Sequence, residues 1–268
     1  MYEILTDIHT HTLFSVHATS TLLENVHVAA ERGLEAIGIT DHFSDMFWPV
    51  TKFENYGNFC NRDAFPKEWE GVKVYTGAEV DIISKQGHLF GYDRNLGDTY
   101  FHKPEMSWLE MVDAQTNYLI ASVHPQEFLE NATVLEVTDM YCKVLQNPSV
   151  LVLGHIGRTK HSFDLDTVLL TAKESGKLVE LNNSYLHRGD YKDTFAPKLL
   201  CRAAELGVKI SVSTDAHCAC FVGDFTDAKA LLEKVHFPEE LIANRNAQTL
   251  AKEVKKITDQ KQQTALSW

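Results

Sequence analysis

The sequence predicts an α/β fold whose parallel sheet closes, or nearly closes, into a helix-wrapped barrel. Seven short β-branched or apolar runs alternate with amphipathic helical stretches from end to end, the pattern of successive βα units. Polar residues end every run instead of gathering at one crevice, which suits a ring of barrel strand ends. The length of 268 residues also fits one barrel domain over 1–268. There is no internal repeat, no linker rich in Pro, Gly or Ser, and no low-complexity block.

Taken in order, the strands are expected at 4–9 (ILTDIH), 35–41 (EAIGITD), 72–79 (VKVYTGAE), 118–124 (YLIASVH), 150–156 (VLVLGHI), 178–184 (LVELNNS) and 208–215 (VKISVSTD). Each is an apolar or β-branched run of strand length. Helical periodicity marks 22–32, 164–175, 194–206 and 226–235, and Gly33, Gly176 and Gly207 stand where a helix would stop. Two irregular segments interrupt the alternation. Residues 43–69 are crowded with aromatics without a clear period, and 84–107 carry Gly87, Gly91, Gly97 and Pro104. Long loops in a compact domain are often lids or binding loops; a local aromatic cover over the barrel is the plainer reading, and the two are compatible. The polar end, 258–268, is expected to fray.

Composition excludes several classes. Hydrophobic residues are 44% and charged residues 23%, so a disordered or fibrous chain is ruled out. A formal charge of −12 argues against coating nucleic acid or an anionic membrane. No apolar run approaches the ~18 residues of a membrane span, and MYEILTDIHTH lacks the basic and apolar regions of a signal peptide. With five cysteines and no export signal, a cytoplasmic chain without disulfides is expected. The unusual number is 13 histidines.

Seven of them fall at strand ends or just beyond. His9 and His11 are two apart in a strand, so both imidazoles point to one face. His17 follows on the next loop; His42, His124 and His155 end the second, fourth and fifth runs. Glu79 ends the third, and Asp215 and His217 end the seventh, again two apart. In a βα barrel these ends meet at one mouth. Nine unpartnered N and O donors there would be costly, and divalent metal ions supply the missing partners. Imidazole with carboxylate and no thiolate suits Zn²⁺, Mn²⁺ or Fe²⁺, and nine donors exceed one tetrahedral ion; three ions with a bridging carboxylate fit. His27, His88, His102, His161, His187 and His236 lack the pattern and receive no metal role. Cys218 and Cys220 read as small packing residues.

The motifs HTH (9–11), TDH (40–42), the lone histidines 124 and 155, and DAH (215–217) resemble the PHP (polymerase and histidinol phosphatase) family. HATSTL (17–22), LNNSYLH (181–187) and FPEELIAN (237–244) are most similar to its YcdX-type phosphatase subgroup, and the likeness spans about residues 3–255. It implies a distorted seven-stranded (β/α)7 TIM-like barrel, the PHP fold, with a trinuclear metal centre: zinc, or else manganese or iron. Carried over residue by residue, it implies one metal on His9, His11, Glu79 and Asp215, a second on Glu79, His124 and His155, and a third on His17, His42 and His217. The loop 43–69 and residues 125–137 depart from the family pattern and leave the substrate open.

The expected activity is that of a metal-dependent phosphoric monoester hydrolase acting on a small phosphate ester. A hydroxide bridging two metals attacks phosphorus, with Asp215 steering or accepting the water's proton and Glu79 bridging the ions. His187 or a metal-bound water serves the leaving group. Arg158, Lys160 and Arg188 are candidate phosphate clamps or, equally, solvated loop cations. Alternatives are a phosphodiesterase or exonuclease, histidinol phosphatase proper, and a non-enzymatic metal-binding module. A nucleic-acid partner is disfavoured by the absence of a basic stripe: the densest cationic stretch is Lys252 to Lys256. No membrane partner is expected, and oligomeric state is not legible.

Overall fold

A computed structural model describes residues 2–44, 46, 54–95, 105–189 and 195–266. In chain order its strands and helices are β1 (Thr6–Thr10), α1 (Leu22–Glu31), β2 (Ala36–Ile39), β3 (His42–Phe43), α2 (Glu54–Phe59), β4 (Glu68–Trp69), β5 (Val72–Asp81), α3 (Trp108–Ala114), β6 (Tyr118–Ser122), α4 (Val134–Leu145), β7 (Val150–Leu153), α5 (Leu165–Ser175), β8 (Leu178–Asn182), α6 (Asn183–Arg188), α7 (Phe195–Leu206), β9 (Ile210–Ser213), α8 (Thr226–Val235) and α9 (Ala247–Leu266).

Seven strands run parallel in the order β1-β2-β5-β6-β7-β8-β9. The segment after β9 returns to β1: Asp215 N donates to His9 O at 2.8 Å and His11 N to Ala216 O at 2.9 Å. The sheet is thus nearly closed into a barrel, and the closing bonds lie at the C-terminal strand ends. Every residue of β1, β2, β6, β7, β8 and β9 is buried. Burial on both faces explains why β2, β6 and β7 read as nearly continuous apolar runs. Gly38 of β2 allows a close crossing of the interior, because a Cβ there would lie 1.9 Å from the Tyr118 hydroxyl, which donates to Ile8 O at 2.7 Å.

All seven predicted strands are present. Two short ones escaped the sequence: β3 pairs parallel with the end of β5, and β4 pairs antiparallel with its start. Pairing with β3 and β6 carries β5 on to Asp81, so Glu79 lies inside the strand. The run 178–184 ends early, at Asn182, whose side chain accepts from Tyr185 N and caps α6. Three helices open on reciprocal capping boxes, Thr21/Glu24, Ser107/Glu110 and Thr133/Glu136.

The expected fraying of 258–268 is corrected: α9 continues to Leu266, and 267–268 lie outside the described residues. Leu250, Val254 and Ile257 share one helix face and pack with Ile8, Tyr75, Tyr118 and Leu151, closing the barrel's N-terminal end. Each such burial contributes about 1.5–3 kcal/mol. Past them, Lys261 reaches Asp113 at 2.5 Å and Gln260 accepts from Lys177 at 2.6 Å. Long-range anchors therefore order a polar segment that no local pattern marks.

The irregular segment 43–69 lies outside the described residues at 45 and 47–53, and 84–107 does so at 96–104, including Gly97 and Pro104. What is described forms an aromatic cover: Phe43 packs on Phe59 and Phe90 with ring centres 5.4 and 5.0 Å apart, and Tyr56 on Trp108 at 5.5 Å. Among the described residues no helix is long and apolar enough to cross a membrane.

Candidate metal centre

The alternation of β1 sends Thr10 outward, where its hydroxyl donates to Gly38 O at 2.8 Å, and turns His9 and His11 inward with ring centres 5.1 Å apart. Glu79 sits on the neighbouring strand system, in register with His42 of β3. His124 and His155 lie two residues past β6 and β7, and Asp215 and His217 just past β9.

Everything converges on Glu79. His155 Nε2 lies 2.8 Å and His124 Nε2 3.4 Å from Glu79 Oε1; His42 Nδ1 and His11 Nε2 lie 2.7 and 3.5 Å from Oε2. Asp215 Oδ1 is 3.0 Å from His11 Nε2 and 3.6 Å from His9 Nε2. His42 and His217 bring their Nε2 atoms to 3.3 Å. His17 stacks on His217 with ring centres 4.4 Å apart and 5.1 Å from His42. All nine strand-end candidates thus share one basin. His9, His11 and Glu79 are wholly buried, whereas His17 is exposed. His42 stands between the expected groups, with ligand atoms close both to Glu79 and His124 and to His11 and His217.

The residues fit divalent cations. Among the described residues, His9 Nε2, His11 Nε2, Glu79 Oε2 and Asp215 Oδ1 are buried yet make no hydrogen bond in spite of their proximity. Such groups are costly to bury unless something binds them. Ligand atoms from His9, His11, Glu79 and Asp215 lie within 4.8 Å of one another, as do those from His11, His42 and His217 and from His42, Glu79 and His124. The charge state also suits cations. Burial raises the Glu79 carboxyl, but the charges of His124, His9 and His42 and the bond from His155 outweigh it and hold it well below the carboxylate range. Asp215 is lowered in the same way, burial being overcome chiefly by His9 and His11. Burial together with the charges of His217 and His42 pulls His17 down to about 4, so this imidazole is neutral at pH 7.

Acids that the sequence reading passed over fix the rings. Glu180 of β8 accepts from His9 Nδ1 at 2.7 Å and from His155 N at 2.8 Å. Asp81 holds His124 Nδ1 at 2.6 Å. Ser15 Oγ lies 2.9 Å from His11 Nδ1 and donates to Asp41, which also accepts from Thr12 and from the buried Arg62. Arg62 comes from the aromatic segment, packed 4.7 Å from the rings of Phe59 and Phe65. Carboxylate behind histidine is how metal ligands are commonly oriented. A signal existed: Asp81 lies two residues after Glu79, and Glu180 is an acid inside the apolar run LVELN. Backbone strain gathers here too, since His155 (φ 23°) and Asp215 (φ 54°) are left-handed without being glycine.

The remaining candidates lie outside the basin. His187 is on α6, 72% exposed, with Nδ1 3.1 Å from Asp227 Oδ2; it lines a cavity of ≈ 220 Å³ with Asp215, His217 and Arg188. Arg158, Lys160 and Arg188 line a second cavity of ≈ 1060 Å³ that begins at His124. Among the described residues Cys218 and Cys220 join no metal-ligand cluster; their sulfurs are 3.0 Å apart, and Cys220 is exposed, so it is not the packing residue expected. His27 pairs with Glu70, His88 stacks on Tyr92 and His236 caps α8, all away from the basin, while His102 lies outside the described residues.

The PHP domain family matches residues 7–238. This chain belongs to the PHP domain family. A probable phosphatase of Caldanaerobacter subterraneus subsp. tengcongensis is 34% identical over 245 residues, 90% of this chain and 87% of that relative. A probable phosphatase of Clostridium acetobutylicum is 30% identical over 256 residues, 94% and 95% of the two chains. Among solved structures, histidinol phosphate phosphatase of Lactococcus lactis subsp. lactis, complexed with zinc, L-histidinol and phosphate, matches with a TM-score of 0.56 at 20% identity, over 87% of this PHP chain and 94% of that one. At that identity the likeness speaks of the barrel alone.

Proposed function

We propose that this PHP chain acts over its whole length, 1–268, as one phosphoesterase domain: a metal-dependent phosphatase that hydrolyses a small phosphomonoester. The observation that carries this reading is the meeting of seven imidazoles and two carboxylates in one basin, with buried ligand atoms that have no hydrogen-bond partner among the described residues. The names of its relatives support it.

His9, His11, Glu79 and Asp215 would hold one ion, Glu79, His124 and His155 a second, and His17, His42 and His217 a third, zinc suiting the donors best. Such ions lower the pKa of water and neutralise charge on phosphoryl oxygens. Asp215, held ionised, orients the attacking water and accepts its proton. Arg158, Lys160 and Arg188 bind phosphoryl oxygens. His187, with Asp227 on Nδ1, protonates the departing oxygen through its other ring nitrogen.

Elemental analysis of purified protein, followed by turnover of p-nitrophenyl phosphate, its bis-ester and a short single-stranded oligonucleotide, tests this. About three equivalents of metal and preferred hydrolysis of the monoester are expected. Turnover of the oligonucleotide alone points to a nuclease; metal that raises the melting temperature without any turnover points to a non-catalytic module. Either result overturns the phosphatase.

A further inference from the structure

The larger cavity carries more positive charge than the phosphatase reading uses, since Lys198 joins the three cations given to the phosphoryl group. The whole chain carries −12, yet among the described residues lining this groove the charged ones are Arg158, Lys160, Arg188 and Lys198 against a single acid, Glu127. The four cations come from three separate elements: the turn after β7, the end of α6, and α7. Among the described residues none forms a salt bridge. Asp166, the acid whose charge Lys198 does influence, is already held by Arg202 at 2.6 and 2.8 Å. Four like charges gathered with one acid among the described lining residues repel one another, and in a walled cleft their field is focused on whatever enters.

The groove is continuous with the basin. His124 belongs to both. Tyr185 lines the groove with its ring 5.0 Å from that of His155, and the Arg158 guanidinium lies 5.8 Å from the Tyr185 ring. An ester whose phosphorus sits at the basin can direct its leaving group past Tyr185 into the cationic groove, the roomier of the two described cavities that reach the ligand residues. At ≈ 1060 Å³ the space matches a small metabolite.

Resting on the phosphatase reading, we propose that the preferred substrate is a phosphomonoester whose leaving group carries a second anionic group, a carboxylate or another phosphate, received by Lys198, the groove cation that the phosphoryl group does not use. The same charges disfavour an ester with a cationic amine in its leaving group.

Aryl phosphates matched in shape test the proposal: phenyl phosphate, 4-carboxyphenyl phosphate, 1,4-phenylene bisphosphate and 4-(aminomethyl)phenyl phosphate. The anionic esters should exceed the cationic one in kcat/KM by about tenfold or more at low salt. That ratio should fall toward one in Lys198→Glu and in about 0.5 M salt. The carboxylate and bisphosphate arms show which second anion is received. Equal rates, or faster turnover of the amine ester, would overturn the proposal and leave the phosphatase standing. A binding arm reads the groove without turnover, by calorimetry with benzylphosphonate and 4-carboxybenzylphosphonate. The carboxylated ligand should bind about tenfold tighter to the native protein and lose that advantage in Lys198→Glu. If no ester turns over but that advantage is present, the phosphatase falls and the groove stands; if the advantage is absent, the groove falls.

Discussion

The inner and outer parts of the basin are built differently although both use histidine. His9, His11, Glu79 and Asp215 are buried, lie on or beside barrel strands, and have further groups behind them: Glu180 behind His9, Ser15 and Asp41 behind His11, Asn182 beside Asp215. His17 sits on an exposed loop after β1 and reaches the basin by stacking on His217, itself part-exposed and held through Nδ1 by the Asp215 carbonyl. Strands fix direction through the backbone ladder, whereas a loop residue is fixed by what it touches. The difference teaches that the inner donors are held by the strand ladder and by partners behind them, whereas His17 rests on the rings of its neighbours.

The comparison breaks most readily at Glu79, which belongs to more than one ligand group. Glu79→Ala should lower kcat about 10⁴-fold and remove more than one equivalent of metal by elemental analysis; loss of one ion or none would disprove the bridging role. Arg62→Met tests whether the backing of His11 reaches into the aromatic segment. It leaves the wholly buried Asp41 without its cation and should cost about 3–5 kcal/mol in denaturant unfolding, with Arg62→Lys recovering part of the loss. An unchanged midpoint would show that Thr12 and Ser15 suffice for Asp41.

Glu180→Gln keeps an acceptor and removes the charge behind His9. A 10–100-fold weaker affinity for the inner ion is expected in metal-buffered titration. The smallest effect belongs to the outer set: His17→Ala should release at most one equivalent and shift apo-protein stability by no more than about 0.5 kcal/mol. If His17→Ala emptied the whole basin, the separation of inner from outer donors would be wrong.

Much of this was legible because the relevant signals are local. Alternation with period two places His9 with His11 on one face, and strand-length apolar runs bounded by polar residues mark all seven barrel strands. Other features left no local trace. The pairs behind the ligands are distant in sequence, Glu180 being 171 residues from His9 and Arg62 lying 21 residues beyond Asp41. The helix over 258–266 looked like a fraying tail because what holds it, the barrel floor and the side chains of Lys177 and Asp113, lies far away along the chain.

By itself, then, the sequence determined which residues can bind a cation and that they end successive strands, since residue type and side-chain period are properties of a few neighbouring positions. Tertiary structure alone decided that Glu79 lies at the centre, that His42 stands between two groups, and that four cations from three elements line one groove. These follow from how β1 meets the segment after β9 and from where the flanking turns and helices pack, and such long-range contacts are set by closure of the ring and not by any single stretch of chain.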